Sequence, residues 1–146
     1  MDSTDKKILY LLKQNARMPL TEMSKIIHLS VPAVSERIRK MEESGIITKY
    51  EVRIDRDKLN YKLLAFIFVN IETTKDIEPF RETMAMLPAV LECHHLAGEY
   101  DYLLKVVCLD TQDLEQFISS ELKSIHGVQK TNTIITLSSI KEEINQ

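Results

Sequence analysis

Residues 29–47 read LSVPAVSERIRKMEESGII, and this stretch decides the fold of the first part of the chain. Its apolar side chains recur at the spacing of one helical face, at Val34, Ile38 and Met41. Ser30 can cap such a helix, Pro32 is tolerated in its first turn, and Gly45 lies just beyond its end. The stretch therefore predicts one amphipathic helix with a polar outer face.

Two more amphipathic segments precede this helix. The first covers residues 4–14, with Thr4 or Ser3 as the candidate N-cap and an apolar face formed by Ile8, Leu9, Leu11 and Leu12. Pro19 separates it from the second, whose apolar stripe is formed by Leu20, Met23, Ile26 and Ile27. A short break then precedes the third helix. This arrangement predicts a helix-turn-helix, in which the third helix enters the major groove of DNA.

The pattern of side chains changes from helical to alternating after Gly45. Residues 48–54 alternate and are rich in β-branched side chains, which predicts a strand and, with the three helices, a winged helix-turn-helix. The polar connector 55–61 predicts the domain boundary. We therefore expect a DNA-binding domain with its connector strand over residues 1–61 and a second domain over residues 62–146.

The second domain alternates strands and helices. Strands are predicted at 63–71, 90–97, 101–109 and 128–137, and helices at 76–87 and 111–123. The order β-α-β-β-α-β is that of a ferredoxin-like domain, so the whole chain is expected to be α+β. The two middle strands are joined tightly at Gly98-Glu99, where Gly98 suits the first position of a type II′ turn.

Two of the predicted strands are apolar on both faces. Strand 63–71 carries one apolar set at Leu64, Phe66 and Phe68, and the other at Ala65, Ile67, Val69 and Ile71. Strand 101–109 is similar. Two helices cover only one face of such a sheet, and the missing cover is most simply a second copy of the chain. We therefore expect a homodimer formed through the second domain.

The charge is divided unevenly between the two predicted domains. Residues 1–61 hold twelve Lys/Arg and nine Asp/Glu, a net charge of +3, whereas residues 62–146 hold seven and thirteen, a net charge of −6. A basic first domain favours double-stranded DNA as its partner. No apolar run approaches the roughly 20 residues of a membrane-spanning helix, and the N-terminus is unlike a signal peptide. We expect a cytoplasmic protein with no membrane partner.

Cysteine and histidine supply few candidate metal ligands. The two cysteines form no Cys-x-x-Cys pair and are expected to be free thiols in a reducing cytosol. In Cys93-His94-His95, neighbouring strand residues point to opposite faces, so only Cys93 and His95 can converge. His126 precedes a glycine in a turn and has no partner in the sequence. We therefore predict no metal, no disulfide and no cofactor.

The outer face of the third helix carries the candidate DNA contacts. Small side chains near its start allow close approach to base edges, and its cations can contact phosphates or guanine. The candidate set is Ser30, Pro32, Ala33, Ser35, Glu36, Arg37, Arg39 and Lys40. The alternative is a small helical bundle whose charges form only a solvated face.

Short motifs follow one another in a fixed order along nearly the whole chain. In the first domain they are Asp5-x-x-Ile8-Leu9-x-x-Leu12, Asn15-Ala16-Arg17, Leu29-Ser30 and Val34-x-x-Arg37-Ile38-x-x-Met41-Glu42-x-x-Gly45-Ile46-Ile47, with Tyr50. In the second they are Gly98-Glu99-Tyr100-Asp101-Tyr102 and Gly127-Val128-x-x-Thr131-x-Thr133. In this order the chain resembles the Lrp/AsnC (leucine- and asparagine-responsive, feast/famine) regulators of bacteria and archaea. It departs at His28 and Asn60, where glycine is usual, so left-handed backbone is expected there.

The resemblance implies a transcriptional regulator that responds to a free amino acid. Family dimers often associate into rings of four dimers, and the loop that matches 98–101 helps to bind the effector where dimers meet. The effector-binding candidates are therefore Gly98, Glu99, Tyr100 and Asp101, with Thr131 and Thr133 on the neighbouring strand. Asp101 can accept from an ammonium, and backbone N–H groups near Gly98 can hold a carboxylate. The alternative is a hairpin turn with Asp101 at a subunit contact.

Two other functions stay open at this point. Ferredoxin-like dimers also serve as small monooxygenases and isomerases, but the only candidate catalytic groups in the second domain are His94, His95, His126 and scattered carboxylates. An architectural protein that wraps DNA without sensing a ligand would share every feature above. We favour the responsive regulator and expect no enzymatic activity.

Overall fold

The computed structural model describes residues 1–143 and divides the chain into two units. The first unit comprises Met1–Arg53 with Glu143, and the second comprises Ile54–Glu142. In residues 1–143, every helix is too short or too polar to cross a lipid bilayer.

The first unit is built from three helices. They are α1 (Ser3–Gln14), α2 (Leu20–Ile27) and α3 (Val31–Glu43). Their buried core is formed by one or two residues from each helix: Ile8, Met23, Val34 and Met41. The predicted apolar faces are confirmed except at Ile26, which is half exposed.

Local capping explains where these helices begin. The predicted N-cap of α1 at Thr4 or Ser3 is wrong, because Asp2 caps the helix and forms a reciprocal capping box with Asp5. The predicted cap of α3 is confirmed, since the Ser30 hydroxyl accepts from the N–H of Ala33 at 3.3 Å. Asp2 and Asp5 lie three residues apart, the spacing that a capping box requires, and the structure shows that this pair closes it.

Left-handed backbone occurs at both positions where the resemblance predicted it. His28 has φ 62° at the end of α2, and Asn60 has φ 64° in the connector. Gly45, with φ 72°, ends the turn after α3. A side chain at φ near +60° costs free energy in most residues and least in asparagine. The break between α2 and α3 is therefore held by a histidine in an unusual conformation.

The strand predicted over 48–54 is wrong: these residues form no strand in the structure. Val52 is 85% exposed and Ile54 is 59% exposed. Alternation favours an extended chain, but a strand also needs a neighbouring strand to receive its hydrogen bonds. In the single chain, none of the described strands lies beside this segment.

The second unit has the predicted β-α-β-β-α-β order. Its elements are β1 (Leu63–Ile71), α4 (Ile77–Met86), β2 (Val90–His95), β3 (Tyr102–Cys108), α5 (Thr111–Gln116), which continues as π-helical turns through Phe117–Leu122, and β4 (Val128–Ile135). The strands form one antiparallel sheet in the order β2-β3-β1-β4. Each strand after β1 thus lies beside β1 or β3.

The two faces of this sheet differ in what covers them. One face packs against α4 and α5 and is buried, with the core residues of β1 at Leu63, Ala65, Ile67 and Val69. The other face, called the open face below, carries apolar side chains at Leu64, Phe66, Phe68, Leu103 and Ile134. It also carries Lys105, which lies opposite Phe66 and pairs with Glu92 and Glu142. The prediction that β1 is apolar on both faces is confirmed, whereas β3 carries the charged Lys105 on the open face.

The connection between β2 and β3 is longer than the predicted two-residue turn. Gly98 does not have the positive φ that a type II′ turn requires, so that prediction is wrong. Instead, residues 96–101 connect the two strands, and a hydrogen bond from Leu96 N to Asp101 O at 2.8 Å closes this connection around the predicted loop 98–101. The predicted register survives, since Cys93 lies opposite Leu104 and far from Cys108 along the sheet. Both cysteines are free.

Candidate nucleic-acid interface and loop site

The outer face of α3 presents most of the residues that the sequence singled out. Ser30, Pro32, Ser35, Glu36, Arg39 and Lys40 are exposed. Ala33 and Arg37 are half-buried. The opposite side of the helix is held by Val34 and Met41 in the core. A rigidly packed helix therefore offers a polar face that can enter a groove.

Carboxylates on the same helix neutralise the two exposed cations of α3. Arg39 donates to Glu36 at 2.7 and 2.8 Å and also pairs with Glu43, while Lys40 lies 3.8 Å from Glu36. The hydrogen bonds that Arg39 donates to Glu36 raise the pKa of Arg39 further above its ordinary value. Pairs as exposed as these contribute little to stability, so a phosphate can replace Glu36 or Glu43 at little cost.

Arg37 has a different environment from its neighbours. Its Nη1 lies 2.8 Å from Asp2 Oδ2 and 2.7 Å from Asp5 Oδ1, so it joins α3 to the start of α1. Hydrogen bonds from backbone and from Arg37 lower the pKa of both carboxyl groups. The sequence placed Arg37 among the DNA contacts and gave no sign of this long-range pair.

The loop 98–101 is anchored to the end of β1. Asp101 Oδ2 accepts from the N–H of Ile71 at 2.8 Å. The Asp101 N–H in turn lies 3.1 Å from both Asn70 Oδ1 and Val69 O. Asn70 was not predicted to take part, because nothing in its sequence context marks it. The anchoring gives the loop a fixed shape in which Asp101 is half-buried.

The middle of the loop rests on an aromatic and a cationic side chain. The Tyr100 ring lies 5.1 Å from the Phe68 ring, and Lys130 Nζ lies 5.3 Å from the Tyr100 centroid. Glu99 lies 3.7 Å from the same ammonium. Gly98 is exposed beside them, with open space where a Cβ would stand. The loop therefore presents exposed backbone next to both a carboxylate and an ammonium.

The two threonines on β4 lie apart from Asp101. Thr131 is opposite Val69 and Thr133 is opposite Ile67, so both threonines share the helix-covered face of the sheet. Asp101 lies on the other side of β1, about two strand spacings or 10 Å away. Within one chain, the structure does not bring the threonines and the loop carboxylate together.

The histidines form pairs that sequence spacing does not reveal. His95 stacks on Tyr102 at 5.0 Å, and Arg81 Nε donates to the Tyr102 hydroxyl at 2.8 Å. His126 Nδ1 lies 2.7 Å from Asp76 Oδ1, a partner fifty residues away that the sequence analysis did not identify. In residues 1–143, no three His, Cys, Asp or Glu side chains gather into a possible metal site.

Comparison with known proteins agrees with both halves of this description. A family model described as a winged helix-turn-helix DNA-binding domain matches residues 1–48, and one described as the Lrp/AsnC ligand-binding domain matches residues 64–145. The HTH-type transcriptional regulator FL11 of Pyrococcus horikoshii is 37% identical over 97% of this chain and 93% of its own length. The uncharacterized HTH-type transcriptional regulator YezC of Bacillus subtilis is 38% identical over 95% of each chain.

A solved structure agrees equally well with the fold. The transcriptional regulator NMB0573 of Neisseria meningitidis, described as a complex with L-Met, superposes with a TM-score of 0.95. It is 34% identical, and the match covers 99% of this chain and 94% of that one.

Proposed function

The chain belongs to the Lrp/AsnC family of transcriptional regulators, and we propose that it reads specific DNA through α3 and alters that binding when a free amino acid occupies the loop 98–101. The proposal of DNA binding rests mainly on one observation: α3 is capped at its start, buried on one side and exposed on the other. Arg39 and Lys40 stand on the exposed face with only weak partners. The match of residues 1–48 to a winged helix-turn-helix DNA-binding model, and relatives named as HTH-type transcriptional regulators, support this part of the proposal.

The candidate DNA contacts divide into two groups by position. Ser30, Pro32, Ala33 and Ser35 lie at the start of α3, where small side chains let the backbone approach base edges. Glu36, Arg39 and Lys40 lie further along, where the cations reach phosphates once Glu36 and Glu43 release them. Arg37 lies between the two groups, held by α1.

An amino acid is the proposed effector. The Neisseria regulator, 34% identical to this chain, is described with L-Met bound. Here Asp101 Oδ1 is available for an ammonium while Oδ2 holds Ile71, and the exposed backbone near Gly98 is suited to a carboxylate. We propose that Thr131 and Thr133 of a neighbouring chain contact the same ligand.

We also propose that the protein works as a homodimer that associates further to an octamer. The open face of the sheet carries the apolar side chains of Leu64, Phe66, Phe68 and Leu103, which are suited to cover by the same face of a second copy. The exposed segment 48–54, which belongs to no sheet in the described chain, would gain a partner strand in such an assembly. Paired recognition helices then read two half-sites about one DNA turn apart.

The remaining parts of the proposal concern chemistry and location. We propose that the protein is not an enzyme, since its relatives are named as regulators and the three histidines of its second unit are engaged in pairs, such as His95 with Tyr102. We propose that it acts in the cytoplasm, where the DNA of bacteria and archaea lies. An architectural role without an effector is the second candidate, favoured by the anchoring of Asp101 to Ile71.

Two linked experiments test this proposal. Selection from a library of random duplexes should enrich one motif with two similar halves, and no enrichment would contradict specific binding. A thermal-shift screen of the twenty amino acids should then reveal a stabilising ligand, since saturation at a hundred times Kd adds about 2.7 kcal/mol. A regulator that binds DNA but is stabilised by none of them would support the architectural role.

A further inference from the structure

Arg37 and the capping box of α1 together use all four carboxylate oxygens of Asp2 and Asp5. Asp5 N donates to Asp2 Oδ1 at 2.9 Å, and Asp2 N donates to Asp5 Oδ2 at 2.8 Å, which completes the capping box. The two remaining oxygens, Asp2 Oδ2 and Asp5 Oδ1, both accept from Arg37 Nη1. Each carboxylate therefore binds a helix end with one oxygen and α3 with the other.

This arrangement restricts the movement of the carboxylates. Because the capping box fixes both Asp2 and Asp5 to the backbone of α1, they cannot follow the guanidinium if it swings towards DNA. To reach DNA, Arg37 would have to leave two carboxylates that are fixed on α1. The two carboxylate partners of Arg39 lie on α3 itself. The Arg37 side chain is 33% exposed, against 52% for Arg39 and 68% for Lys40.

The same contact fixes the direction in which α3 points. Val34 and Met41 hold α3 to the core by apolar contact, which is not directional. The charged hydrogen bonds of Arg37 to α1 are directional and short, so they select one rotation and tilt of the helix. A small error in that orientation would displace the exposed cations from the phosphates they meet.

From this geometry we infer that Arg37 is a positioning residue, which locks α3 to the capping box of α1 so that Arg39 and Lys40 are presented to the DNA. The inference rests on the proposed DNA-binding function. It assigns Asp2 and Asp5 a part in DNA recognition although both are acidic and lie outside the recognition helix. The opposite reading is that the two carboxylates compete with phosphate for Arg37.

A set of four full-length variants tests this role. Arg37→Gln removes the donor, Asp5→Asn removes one charge but keeps an oxygen for the cap, and the double variant combines them. Arg39→Gln is the control, since it removes a neighbouring cation that has no contact with α1. Affinity for a duplex selected by the unmodified protein is measured by fluorescence anisotropy at several salt concentrations, and urea unfolding is measured for the same proteins.

We expect Arg37→Gln and Asp5→Asn each to weaken binding by about tenfold, which corresponds to about 1.4 kcal/mol. The double variant should be no weaker than either single one, and the salt dependence of all three should match that of the unmodified protein. Arg39→Gln should instead reduce the salt slope by about one, because it removes a phosphate contact. In urea, the losses from Arg37→Gln and Asp5→Asn should be less than additive.

Three outcomes would overturn the inference. They are tighter DNA binding by Asp5→Asn, a reduced salt slope in Arg37→Gln, and additive losses in urea. Should Arg37→Gln not fold, Asp2→Asn replaces it, and normal affinity in that variant would count against the inference. Coupling in urea without any DNA binding by the unmodified protein would refute the proposed function alone.

Discussion

The carboxylate of Asp101 accepts a hydrogen bond from the backbone N–H of Ile71, with 2.8 Å between Oδ2 and N. The loop that is proposed to bind an effector is therefore fastened to the end of β1 by one of its own candidate ligand-binding groups. Oδ1 of the same carboxylate has no partner in residues 1–143. The anchoring of the loop thus depends on Oδ2 of Asp101, and the proposed binding of the effector depends on Oδ1.

Two substitutions at Asp101 separate these roles. Asp101→Ala should lower the free energy of unfolding by about 1.5–3 kcal/mol, because it leaves the Ile71 N–H without a partner. Asp101→Asn keeps an acceptor for that N–H and should be nearly as stable as the unmodified protein. It should nevertheless bind the effector at least thirty-fold more weakly, since an ammonium would lose its carboxylate, a loss of about 2–5 kcal/mol. Calorimetric titration checks the affinity, and an unchanged value in Asp101→Asn would assign the loop to architecture.

Gly127 should tolerate no side chain. It has φ 88°, and a Cβ there would stand 2.3 Å from Asp76 Cβ. Gly127→Ala combines backbone strain with a clash, so we expect a loss of about 3 kcal/mol or more in urea unfolding. Gly98→Ala is the matched control, because Gly98 has ordinary φ and open space around it. Equal stability of the two variants would show that Gly127 is not confined in this way.

Much of the fold could be predicted from local patterns. The apolar spacing of α3, its Ser30 cap and both apolar faces of β1 follow from periods that depend only on neighbouring residues. The failed strand at 48–54 shows the limit, because alternation cannot supply a pairing partner. The turn at Gly98 failed for a related reason, since its sequence is compatible with both a two-residue and a longer loop.

The candidate site was predicted less completely than the fold. Its residue types were identified, but their partners lie far away in the sequence: Arg37 binds Asp2 and Asp101 binds Ile71. Thr131 was grouped with the loop, whereas the sheet register sets it on the other side of β1. Contacts across thirty or more residues depend on packing, which composition and spacing do not record.

The open face of the sheet should hold the oligomer together. Phe66→Lys replaces an apolar side chain by a second ammonium beside Lys105 in the middle of this face, so burial against a second copy would become costly. We expect a smaller particle by light scattering at micromolar concentration. The control is Tyr10→Lys, which changes an exposed aromatic residue of α1 and should leave the mass unchanged. An unmodified protein that is itself monomeric would contradict the proposed assembly.

Asp76 should make stability sensitive to acid. Hydrogen bonds from Thr73 and then His126 lower the pKa of Asp76 below its ordinary value of 3.8. A carboxyl group with a lowered pKa stabilises the folded state fully above about pH 4, and this contribution is lost as the pH falls through the folded-state value. Urea midpoints between about pH 2.5 and 6 should therefore fall more steeply in the unmodified protein than in Asp76→Asn. Parallel curves would contradict this prediction.

The central claim is that α3 meets DNA through Arg39 and Lys40, and the salt dependence of binding tests it most directly. Affinity for a selected duplex is measured between about 50 and 200 mM salt for the unmodified protein and for the double variant Arg39→Ala/Lys40→Ala. A second double variant, Lys75→Ala/Lys123→Ala, is the control for total charge. Two lost phosphate contacts should reduce the slope of log affinity against log salt by about two, and the control should keep the full slope. An α3 variant with unchanged affinity and slope would contradict the account.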